Sequence, residues 1–171
     1  MTLEIYLTNL GKYNEGVLKG KWVDCLSSPN WEEELEEIGV AEGSDYEEFF
    51  ITDVNTDIDG IEIGEYESLD SIDKLADLIN NYGEDEAFGA LMDLYDGDAD
   101  VVTEAFERGG YSFYAGVTDH EELGEYLVEE GIRCSNADED IKIYLDYEKI
   151  GRDYDYNSSG GFYGNGFLEV Y

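Results

Sequence analysis

Strand-type hydrophobic patterns occupy residues 3–8 (LEIYLT) and 20–26 (GKWVDCL), with the polar GKYNEG segment between them supplying a turn or a longer excursion. Ser27, Ser28 and Pro29 predict a helix start, with Pro29 early in the first turn. Trp31, Leu35 and Ile38 then recur at helical spacing, and Gly39 is placed to stop the helix. The aromatic and β-branched run YEEFFITDV predicts another strand, followed by a turn at NTDIDG, so residues 1–60 should form a small α+β unit.

From about residue 70 the hydrophobic period becomes helical. One stripe is Ile72, Leu75, Ala76 and Ile79, a second is Ala87, Phe88, Leu91, Leu94 and Tyr95, and a third is Val101, Val102, Ala105 and Phe106. Glycines near residues 83, 97 and 109–110 separate them, which predicts a group of short helices over 61–108. GGYSFYAG reads as a strand, and Thr118 with Glu121 fits a capping box opening a helix that turns Leu123, Tyr126 and Leu127 inward and ends before Gly131. A further helix is expected over 138–150, and SSGGFYGNG leads to a closing strand at FLEVY, making 109–171 a second α+β unit. The expected fold class is α+β, an α+β domain at 1–60, a short-helix domain at 61–108 and an α+β domain at 109–171.

Forty-four acidic residues against nine basic ones leave a net charge of −35, yet 42% of the chain is hydrophobic, which is enough for a core. Direct nucleic-acid binding is not expected, because phosphates must be neutralised by lysine and arginine and the nine present cannot offset the carboxylates around them. Residues 1–60, 61–103 and 104–171 carry −12, −12 and −11, so each segment holds its own share instead of an acidic tail. At one charge per ~1.7 Å, 35 charges correspond to roughly 60 Å of duplex. A compact globule of this length would be only ~40 Å across, so matching DNA's charge density favours an elongated molecule. With no apolar span or leader pattern at the start, the chain is expected to be soluble and cytoplasmic.

Acids recur at i,i+4: Glu33 and Glu37, Asp73 and Asp77, Asp100 and Glu104, and Glu121, Glu125 and Glu129. Such like-charge pairs each weaken a helix by roughly 0.2–0.5 kcal/mol, so stability alone would favour alternating lysines. Catalysis finds little support. His120 is the only histidine and sits beside Asp119 at a helix start, no G-x-S-x-G occurs, and with so many carboxylates a suitably spaced pair carries no information. NTDIDG at 55–60 approximates a calcium loop, but Asn55 holds its first position and Tyr66 its twelfth, so an acidic turn is the simpler reading. Cys25 and Cys134 belong to no CxxC pair and are expected to be buried free thiols, the tyrosines are expected at core edges, and no cofactor motif is present.

The segments IYLTNLGKYNEGVLKGKWVD (5–24), EEFFITD (47–53) and LDYEKIGRDY (145–154) resemble, in wording, order and spacing, the ArdA antirestriction proteins of conjugative plasmids and transposons. The resemblance covers nearly the whole chain. It implies an elongated, bent, three-domain homodimer that mimics bent B-form DNA in the DNA groove of type I restriction-modification enzymes, without catalysis. The ladder and turn acids Glu33, Glu37, Asp57, Asp59, Asp73, Asp77, Asp100, Glu104, Glu107, Glu121, Glu125 and Glu129 are then expected to form the partner-binding surface. Tyr147, Ile150 and Arg152 are expected to serve folding or dimer contact, since Arg152 opposes the overall charge. The rival readings are a halophilic protein, stabilised steeply by molar salt, and a calcium-binding module, stabilised by calcium far more than by magnesium.

Overall fold

A computed structural model describes residues 1–58 and 60–171, so Asp59 lies outside the described residues. The described residues form eight α-helices and two three-stranded antiparallel sheets, an α+β fold as expected. They group into two compact units, Met1–Glu84 with Gly97–Thr103, and Asp85–Asp96 with Glu104–Tyr171. The stretch 61–108 is therefore shared between the units.

In the first unit β1 (Leu3–Asn9) is the central strand, with β2 (Gly20–Asp24) on one side and β3 (Phe49–Thr56) on the other. Alternation buries Leu3, Ile5 and Leu7 completely, together with Val23 and Ile51 from the flanking strands. Between β1 and β2 the chain makes a short helix α1 (Leu10–Asn14), because Asn9 Oδ1 accepts the Lys12 N–H at 2.8 Å and caps it. Asn9 Nδ2 also donates to the carbonyls of Ile38 and Gly39 at 3.2 and 3.0 Å, tying helix α2 (Trp31–Glu37) to the strand.

Strand β2 stops at Asp24, short of its expected end, since Asp24 Oδ1 accepts the Leu26 N–H at 3.0 Å and starts a 3-10 turn over Cys25–Ser27. Ser28 is left-handed (φ 55°) and α2 begins only at Trp31, so Pro29 precedes the helix instead of occupying its first turn. Gly39, at φ +79°, takes the left-handed position just beyond the end of α2 that terminates helices. Helix α3 (Leu69–Tyr82) is capped by Ser68 and buries Ile72, Leu75, Ala76 and Ile79 as its stripe predicts, plus Leu78.

Helix α4 (Phe88–Leu94) belongs to the second unit, whereas α5 (Ala99–Arg108) begins in the first and ends in the second. Val102 is fully buried but Val101, expected in the same stripe, is exposed. Strands β4 (Tyr111–Ala115), β5 (Gly160–Tyr163) and β6 (Gly166–Val170) form the second sheet, with β6 in the middle. Helix α6 (His120–Glu129) is capped one residue later than expected. Asp119 Oδ1 accepts the Glu122 N–H at 2.9 Å, and Glu122 reaches back to the Thr118 N–H and hydroxyl at 2.7 and 2.8 Å, because a carboxylate outcompetes the Thr118 hydroxyl as acceptor. The helix expected over 138–150 is two helices, α7 (Glu139–Lys142) and α8 (Tyr147–Asp155). Asp146 Oδ1 accepts the Lys149 N–H at 3.1 Å and starts a new helix there.

Helices α6 and α8 touch backbone to backbone. A Cβ at Gly124 would overlap the Tyr147 carbonyl, and one at Gly151 would overlap the His120 carbonyl. Below them Val117, Leu123, Leu127 and Phe167 form a core against which Tyr114, Tyr126, Ile150, Tyr154 and Phe162 pack. No helix among the described residues is long and apolar enough to cross a membrane.

Candidate acidic interaction surface

In the first unit the predicted acids divide by what they touch. Glu33 and Asp77 stand exposed on α2 and α3 with no hydrogen bond or ion pair among the described residues. Glu37 instead accepts Lys21 Nζ at 2.6 Å, and Glu34 pairs with the same ammonium, so α2 is clamped to β2. Those hydrogen bonds, Glu34 first, raise the Lys21 pKa. Asp73 accepts the Trp31 indole N–H at 2.8 Å and joins α2 to α3, so its carboxylate is half-buried and structural. Asp100 pairs with Lys74 at 2.6 Å across two exposed side chains, and Asp57 accepts the Thr2 N–H at 2.6 Å. Helix α2 carries a second exposed row, Glu32 and Glu36, which the i,i+4 rule identifies equally well. With Glu42 and Glu47 it rims a groove of about 600 Å³ floored by Leu35, Val40 and Ala41.

In the second unit Glu121, Glu125 and Glu129 form one exposed row along α6, again without hydrogen bonds or ion pairs among the described residues. Glu107 is likewise exposed and unpaired, whereas Glu104 is paired with Arg108 one turn away. Tyr147 donates its hydroxyl to the Lys142 carbonyl at 3.0 Å, Ile150 packs on the core, and Arg152 pairs with Glu148 at 3.3 Å within α8. His120 Nε2 lies 3.0 Å from Asp155 Oδ2, with its ring edge-on to Phe162, so it links α6 to α8.

The Tyr114 and Tyr154 hydroxyls both donate to Glu169 Oε2, at 3.3 and 2.9 Å, a network no sequence spacing discloses because its members lie on β4, α8 and β6. Burial first, then the neighbouring Tyr154 and Glu169, pushes the Tyr114 phenol up, and burial with the Glu169 hydrogen bond raises Tyr154. Cys25 is buried as expected and its thiol is pushed up to about 12, chiefly by burial, but Cys134 is exposed, because it lies in the loop after α6 outside any hydrophobic face. Asn55 is a strand residue that donates to Glu4 at 2.7 Å, so the calcium-like stretch does not begin as a loop. Among the described residues no three histidine, cysteine or acidic side chains gather as a metal site.

The family model described as Antirestriction protein (ArdA) matches residues 5–169. No curated protein matches the chain.

Proposed function

The chain belongs to the ArdA antirestriction family, and from that membership we propose that it is a non-catalytic DNA mimic whose carboxylates occupy the DNA-binding groove of a type I restriction-modification enzyme and block restriction. The observation that carries the reading is the set of exposed carboxylates that make no hydrogen bond or ion pair among the described residues, in both units: Glu33 and Asp77 in the first, Glu107, Glu121, Glu125 and Glu129 in the second. An i,i+4 step advances ~6 Å, while duplex DNA carries a charge every ~1.7 Å, so one row supplies roughly a quarter of the density and several must act together. Asp57, Asp59, Asp100 and Glu104 add to the field, while Glu37 and Asp73 serve it from structural positions. Mimicry by many weak contacts makes single substitutions mild.

The proposal includes a three-domain, elongated homodimer and a cytoplasmic site of action, where the target enzyme meets DNA. It also includes inhibition of modification, since both reactions need the same groove. The test is a competition in which the chain is titrated into a type I methyltransferase core holding a fluorescent duplex with its recognition site. Displacement near stoichiometric chain, weakening as salt rises, supports the reading. Changing Glu33, Asp77, Glu121, Glu125 and Glu129 together to glutamine should weaken displacement at least about tenfold, in line with loss of several exposed charge contacts of a few tenths of a kcal/mol each. Unchanged displacement by that variant removes the electrostatic account.

A further inference from the structure

The solvent side of the first sheet carries a feature that charge alone does not explain. The alternation that turns Leu3, Ile5, Leu7 and Val23 inward sends Glu4, Tyr6, Trp22, Asp24 and Asp53 to the opposite face. The register sets Trp22 and Asp53 on either side of Tyr6, and Asp24 and Asn55 on either side of Glu4. The Tyr6 and Trp22 rings meet edge to face at 5.4 Å, and the Tyr6 ring lies over Gly20, where a Cβ would have no room. Trp22 nonetheless remains 43% exposed. This face therefore presents an aromatic pair between three carboxylates, and no lysine or arginine occupies its paired positions.

An indole beside carboxylates is the chemical complement of a guanidinium: the ring attracts a cation over its face, and the carboxylates accept its N–H groups. Arginine suits such a site better than lysine because its planar, weakly hydrated group can stack and bond at once. We propose that this sheet face is a docking platform for an arginine-bearing segment of a partner protein, with Trp22 and Tyr6 holding the guanidinium and Asp24 and Asp53 accepting its donors. The platform deepens the DNA-mimic reading and rests on it for the identity of the partner as a basic protein surface. It adds a recognition element that discriminates among cations, which a purely phosphate-like field does not.

The test uses the full chain and two fluorescently labelled octapeptides, one alternating arginine with glycine and one alternating lysine with glycine, followed by anisotropy. The arginine peptide should bind about three- to fivefold more tightly, Trp22→Phe should keep part of that preference, and Trp22→Leu should abolish it. Equal binding of the two peptides, or a preference unchanged by Trp22→Leu, overturns the platform. Should Trp22→Leu fail to fold by circular dichroism, the double variant Asp24→Asn, Asp53→Asn decides. It must bind the arginine peptide more weakly than the charge-matched Glu42→Gln, Glu47→Gln variant does, and equal loss in both overturns the proposal. No restriction enzyme enters the measurement. A chain that fails to displace DNA yet prefers arginine upholds the platform, and one that displaces DNA but binds both peptides alike refutes it.

Discussion

Asn9 and Thr8 are the fully buried polar side chains among the described residues, and both are satisfied, Asn9 by three partners and Thr8 through the Thr52 hydroxyl at 2.9 Å. Asn9→Ala would strip the cap from α1 and leave the Ile38 and Gly39 carbonyls without their donor. The expected loss is ~2–3 kcal/mol, read as a lower urea midpoint at unchanged slope. The two thiols give a second test at this scale: Cys134 should react with a thiol reagent in the native chain, and Cys25 only after denaturation. A native chain in which both react at the same rate would place Cys25 in solvent. Residue roles were the least legible part of the sequence. Spacing along a helix finds rows of acids, but it cannot tell that Lys21, from a strand, pairs with both Glu34 and Glu37, or that Trp31 engages Asp73, because those partners are set by tertiary packing.

At the scale of elements, the contact between α6 and α8 depends on the absence of two side chains. Gly124→Ala or Gly151→Ala puts a methyl group against a carbonyl of the facing helix, which no rotamer change can relieve. Each should cost about 3 kcal/mol or more, the upper end for overpacking, and should lower the melting temperature by several degrees while Gly89→Ala, at a site with open space, does not. The long helix α3 and strands β1, β3 and β4 were legible because each has a strong period, a cap or a β-branched run. Strand β5 was not, since two of its four residues are glycine and its pairing with β6 is non-periodic information. The break between α7 and α8 was missed for a related reason: Asp146 reads as one acid among many, and only its hydrogen bond to Lys149 identifies it as a cap.

For the molecule as a whole, a charge of −35 means that added salt should raise the melting temperature up to about 0.15 M, as self-repulsion is screened, and then level off. A continued climb toward molar salt would instead mark the halophilic behaviour. Alkali should act in the opposite direction. Tyr114, Tyr154 and Cys25 all have raised folded-state values, so their contribution is intact below the unfolded values of 10.0 for the phenols and 9.0 for the thiol, and is lost as pH rises through the folded ones. The melting temperature should hold to about pH 9 and fall beyond it, and replacing both tyrosines by phenylalanine should flatten that fall while lowering the starting value. The strand orders carry one more consequence, for synthesis on the ribosome. Strand β1, made early, is the centre of the first sheet, and its neighbours are complete by Thr56, whereas the centre of the second sheet is β6, made after both strands it joins. The first sheet can close while translation continues, but β4 and β5 must wait, unpaired, until residue 170 has left the exit tunnel.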